Sequence, residues 1–179
     1  MKIPDNNIRD YTGTNFSVYK REEGETIIKY NTSGDIIENN EMYSKVMLGK
    51  CETCNPFFKN SFNGFSYDTV LVVGLGLGLV PQELSEVNKC SKIDVLEIDQ
   101  EIIDYTILSG HLNSDINLIQ GDIYNYTTTE TYDLIIIDTI WYAHEMSNED
   151  CELLKSRLLP NINTGGALYF PIKEKFIIR

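Results

Sequence analysis

Basic side chains are scarce. The chain of 179 residues has 15 Lys and Arg against 27 Asp and Glu, a formal net charge of −12. Residues 1–68 carry 8 basic and 10 acidic groups, whereas residues 69–179 carry 7 and 17, so the second part holds a net −10. Affinity for nucleic acid comes largely from neutralising phosphates with Lys and Arg, so nucleic acid is not an expected partner. A neutral or cationic small molecule suits this charge better. Long apolar runs are also missing. The longest uncharged apolar run, residues 69–81, is too short and too Gly-rich to span a membrane, which takes roughly 20 residues. The amino-terminal Met-Lys-Ile-Pro-Asp-Asn-Asn lacks the apolar core of a signal peptide, so a cytoplasmic location and reduced thiols are expected. Metal-ligand spacing is absent as well: His111 and His144 stand apart, and Cys51-Glu52-Thr53-Cys54 has no partner pair. Ala occurs only at positions 143 and 167 while Ile and Asn abound, a bias of AT-rich coding that carries no chemistry.

What remains is ordinary globular composition, 42% apolar and 23% charged, at a length expected to hold one domain. Residues 1–25 are polar and patternless and read mostly as loop. Thr26-Ile27-Ile28-Lys29-Tyr30 and Asp35-Ile36-Ile37-Glu38 flank turn chemistry and predict a β-hairpin. A short helix is expected over 41–49, followed by an aromatic, turn-rich linker over 55–67. The rhythm changes at residue 69. Val70-Leu71-Val72-Val73 is a continuous apolar run of the kind buried on both faces of a parallel sheet. Runs at 93–98, 134–137 and 167–170 resemble it, and 116–119 is a weaker strand. Helical stretches lie between them: 79–88, with Pro81 in its first turn; 100–109, with Asp99 as cap, Ile102, Ile103, Tyr105 and Ile107 inside and Gly110 as stop; and the stretch after the capping box Ser147-x-x-Asp150. Strands alternating with helices predict an α/β fold with a doubly wound, mostly parallel sheet. The expected division is an amino-terminal extension, 1–68, and a nucleoside-binding core, 69–179.

Val73-Gly74-Leu75-Gly76-Leu77-Gly78 sits between the first apolar strand and a helix. Glycines there let the backbone approach a ligand closely and turn helix amides toward it. Glu97 lies 19 residues beyond Gly78, at the end of the next strand, where a carboxylate can accept hydrogen bonds from both hydroxyls of a ribose. No Gly-x-x-x-x-Gly-Lys-Ser/Thr is present, which argues against a nucleoside triphosphate cradle.

Val73 to Gly78 resembles motif one of the class I S-adenosylmethionine-dependent methyltransferases, and the resemblance extends over most of residues 69–171. Val95-Leu96-Glu97-Ile98-Asp99 resembles the second-strand motif, Gln120-Gly121-Asp122-Ile123 the segment after strand three, and Tyr132-Asp133-Leu134-Ile135-Ile136-Ile137-Asp138 the fourth-strand motif. Leu159-Pro160 with Gly165-Gly166-Ala167 resembles the approach to strand five. The resemblance implies a Rossmann-like sheet and S-adenosylmethionine as cofactor. Gly74, Gly76 and Gly78 would line its methionine and ribose, Glu97 with Ile98 its ribose side, and Asp122 with Ile123 its adenine.

Within the superfamily the first two motifs are most similar to the spermidine synthase-like branch, which implies decarboxylated S-adenosylmethionine and aminopropyl transfer to a polyamine. The Asp-x-x-Asp-Pro of that branch is matched by Asp138-Thr139-Ile140-Trp141 only at its first position. The same four residues resemble the Asp/Asn-Pro-Pro-aromatic of amine methyltransferases at the first and fourth positions. There a carboxylate orients the amine and an aromatic face packs on it. Asp138, Trp141 and His144 are therefore the candidate acceptor-side residues, and the acceptor is expected to be a small molecule such as a cationic amine. A non-catalytic nucleoside-binding or structural protein is the remaining alternative. After strand five only residues 172–179 follow, room for one short strand rather than the usual antiparallel pair. The expectation is a carboxyl-terminally truncated sheet whose edge is covered by the amino-terminal segment or by a second subunit, as in a homodimer.

Overall fold

The computed structural model describes residues 10–20, 26–30, 67–76, 78–85, 90–110, 112–139, 147–170 and 175–179. In chain order its elements are β1 (Tyr11–Thr12), β2 (Phe16–Lys20), β3 (Thr26–Tyr30), β4 (Thr69–Val73), α1 (Leu79–Glu83), β5 (Lys92–Glu97), α2 (Gln100–Ser109), β6 (Ile116–Gln120), β7 (Tyr132–Ile137), α3 (Asn148–Leu158), β8 (Ile162–Phe170) and β9 (Lys175–Ile178). Two compact units divide the chain: one of residues 1–66, 76–79 and 101–113, the other of 67–75, 80–100 and 114–179.

The first unit contains an antiparallel sheet in the order β1-β2-β3, with Phe16 opposite Tyr30 and Val18 opposite Ile28. This corrects the loop expected over 1–25, because residues 11–12 and 16–20 are strands. Phe16 and Val18, two residues apart, are buried while Ser17 between them is not, the period of a half-buried strand. The predicted strand 26–30 forms and pairs with β2. The predicted strand 35–38, the helix 41–49 and the Cys-x-x-Cys all lie outside the described residues. Most of α2 belongs to this unit, and the rings of Tyr11, Phe16 and Tyr105 meet at 5.1 to 5.8 Å between centroids. Helix α2 spans the predicted residues and ends at Gly110, whose φ of 61° suits glycine. Ile107, expected inside, is exposed; Thr106 and Ser109 are buried in its stead.

The second unit contains the large sheet, ordered β6-β5-β4-β7-β8-β9. All neighbours are parallel except β8 and β9. Sequential strands β4, β5 and β6 run outward to one side, and the chain then returns to β7 on the other side of β4. That reversal is the crossover of a doubly wound sheet, and it leaves a crevice at the carboxyl ends of β4 and its neighbours. Val70, Leu71, Val72 and Val73 are each at most 2% exposed, as a central parallel strand requires. On one side of the sheet, Leu71, Ile135 and Leu168 form a core cluster with Cys151, Leu154 and Leu158 of α3. The predicted capping box starts α3: Ser147 Oγ accepts from the Asp150 amide, and the Asp150 carboxylate accepts from the Ser147 amide.

Strand β8 is longer than predicted because the register between Tyr132–Ile162 and Leu134–Ala167 takes up extra residues on β8. Strand β9 adds the one short strand expected after strand five and lies at the end of the sheet. Helix α1 forms at the start of the predicted 79–88, with Pro81 in its first turn, and residues 86–88 lie outside the described residues. Among the described residues no helix is long and apolar enough to cross a membrane.

Candidate functional site

The carboxyl ends of β4, β5, β6 and β7 are stitched together beyond the strands themselves. The Gly74 amide donates to the Leu96 carbonyl at 2.8 Å, Gly121 to Glu97 at 2.9 Å, and Asp138 to Val73 at 2.8 Å. These three amides align the segments that leave the four strands. The second unit thus brings Gly74, Glu97, Ile98, Asp122, Ile123 and Asp138 to one rim. Gly76 and Gly78 continue the turn with φ of 51° and 75° and are grouped with the other unit. Trp141 and His144 lie outside the described residues.

Gly74 has φ 98°, and a Cβ there would stand 2.4 Å from the carbonyl oxygen of Asp138. Both the conformation and the close approach of β7 require glycine. Glu97, the last residue of β5, is 7% exposed. Its Oε2 accepts from the Leu75 amide at 2.8 Å and its Oε1 from the Asp99 amide at 2.9 Å. The carboxylate therefore ties the glycine turn to the end of β5. A carboxylate oxygen has two lone pairs, so with one bond to each from the described residues each oxygen has a second acceptor site. Beside it the side chain of Ile98 is exposed, and Gln120 Nε2 holds the Ile98 carbonyl at 3.1 Å.

Asp122 closes a turn on itself. Its carbonyl accepts from the Asn125 amide at 2.9 Å and the Tyr126 amide at 2.7 Å. Its Oδ1 accepts from the Tyr124 amide at 2.9 Å and its Oδ2 from Asn125 Nδ2 at 2.8 Å. The next residue, Ile123, is buried in the same core cluster as α3. Asp138 follows β7, and burial pushes its carboxyl from the ordinary 3.8 up to about 7. A carboxyl that titrates near neutrality can hold or accept a proton in use.

Sequence reading missed Arg157, whose guanidinium donates to the carbonyls of Tyr124 and Tyr126. Nothing in the sequence marks it, because both partners are backbone atoms more than thirty residues away.

The strand order, the single antiparallel edge and the glycine turn after β4 together define the α/β, Rossmann-like fold of class I methyltransferases. No family model matches the chain, and no curated protein matches it. Solved structures do. The N-methyltransferase NodS from Bradyrhizobium japonicum WM9 is similar at TM-score 0.56 and 19% identity, over 68% of this chain and 66% of that one. The glycopeptide N-methyltransferase MtfA, complexed with S-adenosyl-L-homocysteine, is similar at TM-score 0.54 and 15% identity, over 66% of this chain and 51% of that one. The plantazolicin methyltransferase BpumL, in complex with a pentazolic desmethylPZN analog and SAH, gives 0.50 and 23%, over 68% and 44%. This chain therefore spans between 44% and 66% of the length of those proteins.

Proposed function

We propose that the chain binds S-adenosylmethionine along the carboxyl rim of the sheet and transfers its methyl group to a small acceptor. The observation that carries this is Glu97: a buried carboxylate at the end of β5, tied to the glycine turn, with one acceptor site left on each oxygen. Gly74, Gly76 and Gly78 would line the methionine and ribose, Ile98 would flank the ribose and Asp122 with Ile123 the adenine. When bound, the sulfonium supplies an already activated methyl group, so the protein's part is mostly positioning. Asp138 would orient the acceptor or hold its proton, and the sequence pattern offers Trp141 and His144 as its companions. The acidic chain favours a neutral or cationic acceptor such as an amine, and disfavours nucleic acid.

Methyl transfer is preferred to aminopropyl transfer for two reasons. The solved structures of this fold reported above are methyltransferases by name. Of the Asp-x-x-Asp-Pro expected for aminopropyl transfer, only Asp138 is present. The products separate the two: S-adenosylhomocysteine for methyl transfer, methylthioadenosine for aminopropyl transfer.

The test of the binding reading is titration calorimetry with S-adenosylhomocysteine. Removing two hydrogen bonds to a charged group costs about 3 kcal/mol or more, so Glu97→Ala should weaken binding about a hundredfold or more. Wild-type affinity in the folded variant would overturn the assignment. A wild type that binds none of the adenosyl ligands would leave a structural role instead.

A further inference from the structure

The turn that follows β6 is held by its own residues on one side and by Arg157 on the other. Asp122 takes up the amides of Tyr124, Asn125 and Tyr126. A turn closed in this way spends its donors inside, and its carbonyls need partners elsewhere. Arg157, in the last turn of α3, supplies them: Nη1 donates to the Tyr124 carbonyl and Nη2 to the Tyr126 carbonyl, the latter at 3.4 Å. The planar guanidinium suits this task, because its parallel N–H groups can hold two acceptors at once, which a lysine ammonium on a flexible stem does not reproduce. The same helix fixes the turn by packing. Leu154 and Leu158, three residues before Arg157 and one after, share a core cluster with Ile123, and Tyr124 and Tyr126 pack against that cluster. Ile123 is thus anchored inside while the carbonyls of the next turn residues are held by the charge.

We propose that Arg157 is a positioning residue for adenine recognition: its grip on the carbonyls of Tyr124 and Tyr126 sets the turn so that Asp122 and Ile123 meet the base. The proposal rests on the cofactor reading given above. It assigns Arg157 no contact with the ligand and no part in the transfer.

The experiment compares two ligands in three proteins. S-adenosylhomocysteine and its 6-oxo analogue, S-inosylhomocysteine, differ at the exocyclic position of the base. Binding constants are measured for the wild type, Arg157→Ala and Arg157→Lys, with circular dichroism to confirm folding. The wild type should prefer the adenine ligand by about tenfold or more, as expected for one hydrogen bond to a charged acceptor. Arg157→Ala should weaken the adenine ligand about tenfold and the inosine ligand far less, bringing the two within about threefold; Arg157→Lys should fall between. A folded Arg157→Ala that keeps both constants, or loses the two equally, overturns the positioning role. So does a wild type that binds both ligands alike. If Arg157→Ala does not fold, Arg157→Lys decides, and wild-type preference in it counts against the proposal. A wild type that binds neither ligand overturns the cofactor reading itself, and the proposal falls with it.

Discussion

Asp138 sits where a buried strand ends, and its carboxyl is pushed by burial to about 7 from an ordinary 3.8. Between those values the folded chain binds a proton that the unfolded chain has released. Stability contributed by this group therefore falls as pH rises through that window. Asp138→Asn removes the titration and keeps the shape. The wild type and the variant should melt alike near pH 4, and the variant should become the more stable as pH approaches and passes 7. Thermal or urea midpoints measured across that range check this, and parallel curves for the two proteins would count against a raised carboxyl. The positions of Asp138, Glu97 and the glycines were legible in the sequence because each stands at the end of an apolar strand or just beyond it. What the sequence did not disclose is how they are held. The sequence points to Glu97 as a ribose acceptor, and what the structure shows is its carboxylate tying Leu75 and Asp99 in place. Asp122 was read as an adenine contact, and it proves to close its own turn. Arg157 was invisible, since a side chain that serves backbone carbonyls leaves no pattern.

Secondary elements were legible where period and punctuation agreed. Helix α2 ends at its glycine, and α3 begins at its capping box, because both signals are local. The β1–β2 pair was missed for the opposite reason. Its strands are short and polar outside Phe16 and Val18, and what fixes the turn between them is remote in sequence. Glu101 of α2 accepts from the amides of Thr14 and Asn15, each at 2.6 Å, and from the Tyr11 hydroxyl at 2.9 Å. Burial alone would raise its carboxyl, but the three donors outweigh that and hold it below the ordinary 4.5. The sign follows: this support is present above the unfolded value and is lost as pH falls through the lowered one. Glu101→Ala should leave the turn untethered. Amide exchange at Thr14 and Asn15 should accelerate at least about tenfold, the effect expected for losing a charge-assisted bond, while the amides of β4 and β5 keep their protection. Unchanged exchange at those two positions would show that the turn holds without the carboxylate.

At the scale of the whole molecule the scarcity of basic residues becomes a physical constraint. With 27 acids and 15 bases, at least 12 acids have no side-chain cation to pair with. Exposed pairs among the described residues, such as Lys92 with Glu130 at 2.6 Å and Lys155 with Glu152 at 2.9 Å, belong to a class worth roughly 0–1 kcal/mol each. Repulsion among the remaining acids acts over longer distances and opposes the compact state. Salt weakens both effects, but it removes more repulsion than attraction in a chain of net charge −12. Raising sodium chloride from about 10 mM to about 150 mM shortens the screening length from roughly 30 to 8 Å, so the melting temperature should rise over that interval. The same field gathers cationic solutes, so weak binding of a cationic amine should decline with salt while the melting temperature climbs. Scanning calorimetry along the salt series reads the first, and titration of the amine at both ends reads the second. A melting temperature that falls with added salt would mean that ion pairing outweighs the repulsion of the acidic excess, and that this excess is not what limits the stability of this fold.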